Sequence, residues 1–298
     1  MEHRILGRTG LSVSVLGLGG SEIGDSDFDN VEKLLNSALD AGLNVVDTGE
    51  CYGDSEEFIG RAISHRRSEF YLFTKVGHAS GFEAGDWDPK MMVDSIDRSL
   101  KRLKTDCVDL IQLHSCDEGK LREGDAIAIL LKAKAQGKCR FIGYSGDRED
   151  ALYAIDCKVF DTLQTSINIA DQQAISLTLP RAASNRMGVI AKRPIANVAW
   201  HNGANPPDWD YARTYWERLQ LLQYAWADPA DMNRAVSTAI RFVLAQSGVH
   251  TAIVGTRNPA RWKQNAALLV AGELPPQDVE AIRLRWLETA KSDWVGQT

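Results

Sequence analysis

The chain has 298 residues, about twice the common domain length but within the span of a single α/β barrel. A hydrophobic fraction of 44% and a charged fraction of 25% exclude wholesale disorder and collagen-like sequence, and leave enough chain to bury a large core without disulfides. The formal net charge of −6 argues against a nucleic-acid binder, which needs a basic surface to displace counterions.

In chain order, the stretch from His3 to Val15 reads as a β-hairpin around Gly7–Gly10. A strand over Val13–Leu18 leads to a helix over Asn30–Ala41, with Val31, Leu34, Leu35, Ala38 and Leu39 on one face and Gly42 as its stop. Short apolar runs at Asn44–Asp47, Tyr71–Lys75, Val108–Leu113, Arg140–Gly143, Thr162–Thr165, Gly188–Ala191 and Thr251–Val254 suit parallel strands covered on both faces. Helices are expected between them over Ser55–Ile63, Pro89–Lys101, Gly124–Gln136, Arg148–Cys157, Gln172–Asn185, Asp231–Gln246 and Pro259–Val270. Pro89 and Pro259 sit where a first-turn proline is tolerated. The stretch Ile195–Pro229, with Trp200, Trp209, Trp216 and Trp226, reads as a long aromatic loop after the seventh strand. One more amphipathic helix starts near Pro276.

Eight strands alternating with eight helices spell a (β/α)8 TIM barrel, one domain over residues 1–298, with the hairpin as its cap. An open doubly wound sheet would want a G-x-G-x-x-G turn after its first strand, which Gly17, Gly19, Gly20 and Gly24 do not form.

In a closed parallel barrel all strand C-termini open on one mouth. The second strand ends at Asp47, with Tyr52 in the loop beyond. The third ends at Lys75, and the fourth is followed at once by His114. Taken singly, each has an ordinary reading: a cap, a packing ring, a snorkelling amine, a satisfied histidine. Together they make a proton donor. A Lys ammonium favours phenolate and lowers a tyrosine's pKa, an Asp holds that Lys charged, and a His orients a carbonyl or relays a proton. Glu50 and Asp54, also near the mouth, leave open a barrel hydrolase working with paired carboxylates.

RILGRTGLSVSVLGLGG, NVVDTGECYGDSEEFIGRAI, FTKV, DLIQLH and TAIVGTRNPARWKQNAAL stand in this order, and on them the chain resembles the aldo-keto reductases along nearly its whole length. The resemblance implies Tyr52 as general acid, Lys75 lowering its pKa, Asp47 paired with Lys75, and His114 orienting the carbonyl. It implies a nicotinamide cofactor, usually NADPH with NADH as the other choice, held without a Rossmann motif. Ser145 and Gln164 match carboxamide-binding positions, although Gly146 stands where the family has Asn. Lys192 replaces an aromatic residue that stacks on the nicotinamide, and Lys192 or Arg193 is expected at the pyrophosphate. Gly255, Thr256, Arg257, Arg261, Gln264 and Asn265 fall on adenosine-phosphate positions, with Gly255 in place of a lysine and Gln264 in place of a glutamate. Trp87 is a candidate substrate contact. The alternative is a regulatory nucleotide-binding protein on the same fold, like the potassium-channel β-subunit relatives.

The expected partner is a small carbonyl compound, with no nucleic acid or membrane. No run of 18 apolar residues occurs, and the opening MEHRILGRTG lacks an apolar signal core. Five cysteines with no C-x-x-C pair give no expectation of a metal site or a disulfide framework, and a reducing cytoplasm is the expected compartment.

Overall fold

The structure, a computed structural model, describes residues 1–297. Its first elements are the antiparallel strands β1 (His3–Ile5) and β2 (Ser12–Ser14), with His3 opposite Ser14. Between them Gly7–Thr9 form a 3-10 turn. Gly7 has φ +49°, and a Cβ there would lie 2.2 Å from the backbone nitrogen of Gly188, so only glycine lets the turn seat against the barrel. The hairpin plugs the bottom: Leu6, Leu11 and Val13 are buried in one cluster with Val45, Phe73, Leu110, Ile190 and Ile253.

Eight parallel strands close above that floor. They are β3 (Leu16–Gly19), β4 (Val45–Asp47), β5 (Tyr71–Val76), β6 (Val108–His114), β7 (Cys139–Ser145), β8 (Thr162–Ser166), β9 (Gly188–Lys192) and β10 (Thr251–Gly255), with β10 pairing back onto β3. This is the expected (β/α)8 barrel with its N-terminal hairpin. The expected strand Val13–Leu18 is divided, because Val13 belongs to the hairpin and Leu16 to the barrel.

A second, larger apolar cluster fills the space between strands and helices. α1 (Phe28–Asp40) buries the five predicted residues, is capped by Asp27 accepting the Asn30 N–H at 3.1 Å, and is followed by Gly42 at φ +85°. α2 (Ser55–Ile63) and α3 (Pro89–Leu103) follow. A short helix without a counterpart in the sequence pattern, α4 (Glu118–Glu123), is separated by Gly124, at φ +86°, from α5 (Asp125–Ala135), which is the helix expected over Gly124–Gln136. One expected helix is broken in two. After α6 (Arg148–Asp156), the helix expected over Gln172–Asn185 is α7 (Gln173–Leu177) and α8 (Leu179–Ser184); Pro180 cannot donate the N–H that would join them.

The stretch Ile195–Pro229 is not a bare loop. It holds a 3-10 segment at Ala196–Asn202 and the helix α9 (Asp210–Leu222), which buries Ala212, Tyr215, Arg218, Leu219 and Leu222. α10 (Met232–Leu244), α11 (Pro259–Leu268) and α12 (Pro276–Thr289) complete the chain. Among the described residues no helix is long and apolar enough to cross a membrane.

Candidate active site

Strand alternation builds the site. On β4, β5 and β6 the floor residues Val45, Phe73 and Leu110 are followed two positions later by Asp47, Lys75 and Gln112, so the same inward face turns from apolar to polar towards the mouth. Lys75 is only 1% exposed. An isolated ammonium there would be costly, and it is paired and hydrogen-bonded instead. Its Nζ donates to Oδ1 of Asp47 at 2.5 Å and to the carbonyl of Thr48 at 2.7 Å. The other Asp47 oxygen accepts from Gln164 Nε2 at 2.8 Å and Gln112 Nε2 at 3.2 Å. Ser145 Oγ donates to Oε1 of Gln164 at 3.0 Å. Asp47 thus ties together four strands, β4, β5, β6 and β8.

Tyr52 sits in the loop after β4. Gly24 lets this loop close, since a Cβ on Gly24 would meet the Tyr52 carbonyl oxygen at 1.9 Å. The Tyr52 ring lies 4.8 Å from Lys75 Nζ, and its hydroxyl lies 3.4 Å from Nε2 of His114. The four residues expected to act together are therefore side by side.

Burial raises the Tyr52 pKa above its ordinary value, and Lys75 offsets only part of that rise. The expectation of a net lowering is corrected to this extent: Lys75 pulls the right way, but in a desolvated wall burial wins. Burial also opposes the charge on Lys75, yet Asp47 and Tyr52 outweigh it and hold the amine above its ordinary range. His114 is held well below 6.5 by burial, with Lys75, His78, Lys192 and Arg193 adding repulsion, so it is neutral at pH 7.

These groups open on a cleft of about 970 Å³. Of the positions expected to hold a cofactor, Ser145, Gln164, Lys192, Arg193, Gly255, Thr256, Arg257, Arg261 and Asn265 line it. Gln264 does not: it is exposed on α11, off the cleft wall. Lys192 pairs with buried Asp147 at 2.9 Å. Burial, with Arg193 and Lys75 nearby, lowers its pKa despite that partner. The Arg193 guanidinium lies 3.9 Å over the Tyr211 ring and donates to the carbonyl of Gln297. Arg257 Nε donates to the Glu22 carbonyl at 2.9 Å. Arg261 is exposed in the first turn of α11, whose cap Asn258 accepts the Ala260 N–H at 3.0 Å.

Trp87 is set back from the cleft. Its ring covers Gly77, where a Cβ would clash at 2.3 Å, and His78 stands in the wall instead. The paired-carboxylate alternative loses its geometry. Glu50 is buried behind the wall, accepts the His78 N–H at 2.9 Å and is pushed up to about 7 by burial, while Asp54 is exposed before α2; neither lines the cleft. Three working residues escaped the sequence reading. Gln112 shares the inward face of His114 two positions away, a signal strand alternation carries. Asp147, just past Ser145, is the partner of Lys192, and Thr48 contributes only a carbonyl, which no side-chain pattern reveals.

The model of the Aldo/keto reductase family matches residues 15–284. The chain belongs to this family. It is 30% identical to L-galactose dehydrogenase of Arabidopsis thaliana over 95% of this chain and 92% of that one. It is 27% identical to D-threo-aldose 1-dehydrogenase of a Pseudomonas species over 86% and 89% of the two chains. The holo structure of an aldo-keto reductase from Bacillus halodurans superposes with a TM-score of 0.85 at 25% identity, covering 99% of each chain. The chain is thus an aldo/keto reductase-family oxidoreductase on a TIM barrel.

The residues present fit the family's nicotinamide cofactor. Bare glycine backbone at Gly19, Gly20 and Gly255 lines the cleft beside Arg257, Arg261 and the N-terminal turn of α11. Exposed backbone, guanidinium and a helix N-terminus are together suited to phosphate.

Proposed function

We propose that this chain reduces a small aldehyde or ketone to the alcohol with NADPH, accepts NADH less well, and runs the reverse oxidation with the same residues. The observation that carries this reading is the Tyr52 hydroxyl at the cleft, 3.4 Å from His114 Nε2 and backed by the buried Lys75–Asp47 pair. When bound, the nicotinamide supplies a hydride to the carbonyl carbon. The chain's own residues bind, orient and move the proton. The Tyr52 O–H bond breaks, its proton goes to the carbonyl oxygen, and Lys75 stabilises the phenolate left behind. Neutral His114 donates a ring N–H to the same oxygen and fixes its approach. Asp47 keeps Lys75 in place and charged.

Ser145 and Gln164 would hold the carboxamide, Lys192 and Arg193 the pyrophosphate, and Gly255, Thr256, Arg257, Arg261 and Asn265 the adenosine phosphates. The sugar dehydrogenases related to this chain at 30% and 27% identity make an aldose one natural carbonyl to try. Trp209, 55% exposed at the rim and edge-on to Tyr211, offers a ring face to a sugar. Trp87 acts on substrate by way of His78, which it backs. The test is oxidation of NADPH and NADH by the protein with a reactive aldehyde and a panel of aldoses. Absence of turnover with every carbonyl and both nucleotides overturns the proposal.

The Tyr52 shift sets a pH dependence. Reduction needs the phenol, and its pKa lies above 10.0. The chemical step of reduction should therefore stay level through neutral pH and fall only as pH rises past that value. Alcohol oxidation needs the phenolate, so its rate should climb with pH over the same range. Single-turnover rates against pH in both directions measure this, and a reductive step that falls off near neutral pH would contradict the assignment.

Arg261→Ala should weaken NADPH binding by roughly 10- to 150-fold, as expected for a charge-assisted bond to phosphate, and change NADH binding little. The two nucleotides differ only at the 2′-phosphate. Fluorescence titration of both reads this, and equal losses would place Arg261 at the shared half of the cofactor or in the fold.

A further inference from the structure

Three neighbouring chemistry-bearing side chains, two of them in the cleft wall, have no part in the proton donor beyond His114 itself. Cys51, His78 and His114 come from the loops and ends of β4, β5 and β6, and each is partly exposed. No local spacing foreshadows them: they are 27 and 36 positions apart and meet only because those three strands are neighbours. One ligand atom from each lies within 4.8 Å of the others.

We infer that Cys51, His78 and His114 form a site for a borderline-soft divalent ion of the zinc class, with its fourth position open to the cleft. The geometry supports this ion in particular. Bonds of about 2.3 Å to sulfur and 2.0–2.1 Å to nitrogen at a tetrahedral angle put the two ligand atoms roughly 3.5 Å apart. Cys51 Sγ and His114 Nδ1 are 3.5 Å apart. His78 is oriented for the role. Its Nδ1 lies 2.9 Å from Asp86 Oδ2, and the other Asp86 oxygen accepts the Ala79 N–H at 2.8 Å. A carboxylate only accepts, so Nδ1 carries the proton and Nε2 keeps its lone pair for a metal. A carboxylate behind a ligating histidine is the usual outer support of such sites. The His78 ring is edge-on to His114 with centroids 4.9 Å apart, so a small side-chain rotation closes the set.

Charge weighs on both sides. Lys75, Lys192 and Arg193 act on His114 and would repel a dication. Against them stand Asp86 and the thiolate that forms on binding. In that step the Cys51 S–H bond breaks, its proton goes to solvent, and the sulfur replaces a water on the ion. His78 and His114 both line the cleft, so a bound ion with its water stands where a carbonyl would enter. Metal binding and carbonyl reduction exclude each other. That consequence rests on the reading above; the site itself does not.

The test uses untagged full-length protein without nucleotide or carbonyl, titrated with Co²⁺ and then Zn²⁺. One equivalent of Co²⁺ should give a thiolate-to-cobalt charge-transfer absorption that Zn²⁺ displaces. Cys51→Ser should abolish the band, His78→Ala should weaken Co²⁺ binding at least about tenfold, and Asp86→Asn about 10- to 100-fold. The last two changes are at partly or fully exposed positions, so they keep the test decisive if Cys51→Ser folds poorly. No band with the wild type, a band surviving Cys51→Ser, or unchanged affinity in both His78→Ala and Asp86→Asn would overturn the site. Because this readout is independent of turnover, a failed reductase assay would overturn the proposed function and leave the metal site standing. In a working assay, Zn²⁺ should inhibit competitively with the carbonyl, and Asp86→Asn should raise the inhibiting concentration in proportion to its weaker binding.

Discussion

Tyr52→Phe should lower carbonyl reduction by about 10²- to 10⁴-fold, the usual contribution of a positioned general acid, while nucleotide affinity stays near that of the wild type. The change removes one oxygen and keeps the ring, so the 4.8 Å contact with Lys75 and the edge-on packing against His114 survive. Only the O–H that gives up its proton is gone. His114 is not a substitute donor at neutral pH: it is neutral, and giving up a ring proton would leave a high-energy anion. Single-turnover reduction with saturating nucleotide isolates the step, and nucleotide titration supplies the control. A variant reducing at the wild-type rate would remove Tyr52 from the chemistry. Loss of nucleotide binding in parallel would place the residue in cofactor binding instead.

The sequence showed the barrel and the four central residues for the same reason. Each inward-facing polar group terminates a short apolar run, and one-dimensional order maps directly onto neighbouring strands in a parallel barrel. Val45 and Asp47, Phe73 and Lys75, Leu110 and Gln112 follow one alternation. What stayed hidden depends on contacts between distant segments. Helix α9 lies in a stretch whose tryptophans and prolines read as a loop, although Ala212, Tyr215, Leu219 and Leu222 recur at helical spacing. Position in a loop beside the mouth suits Trp87 to substrate contact; that it packs over Gly77 instead depends on how that loop folds back. The Gln297 carbonyl on Arg193 and the Cys51–His78–His114 cluster join residues that no local motif connects. The net direction of the Tyr52 shift is not legible in the sequence, which shows the neighbouring charge but not the depth of desolvation that outweighs it.

Lys75→Met should slow reduction by roughly ten- to a thousand-fold across neutral pH and also destabilise the fold, and the two effects can be separated. A nearby opposite charge shifts a pKa by about 1–3 units. Without the ammonium, the Tyr52 pKa rises further above 10.0, because burial then acts unopposed by its main counterweight. The phenol becomes a weaker acid, so proton transfer to the carbonyl slows; each unit is about 1.4 kcal/mol. The pH at which reduction falls moves up, and alcohol oxidation needs higher pH to reach the same rate. Stability changes for another reason. Asp47, 1% exposed, keeps only the Gln112 and Gln164 amide donors and loses its counter-charge. Breaking one side of a buried pair costs about 3–5 kcal/mol, a fall in thermal midpoint on the order of 10 °C for a chain this size. Adding Asp47→Asn removes the stranded carboxylate, so Asp47→Asn/Lys75→Met should regain much of the midpoint. It should regain none of the reduction rate, since neither side chain then stabilises a phenolate. A double variant recovering both would show that Lys75 serves only the fold. A single variant with the wild-type pH–rate profile would show that the ammonium, 4.8 Å from the ring, is not coupled to the proton donor.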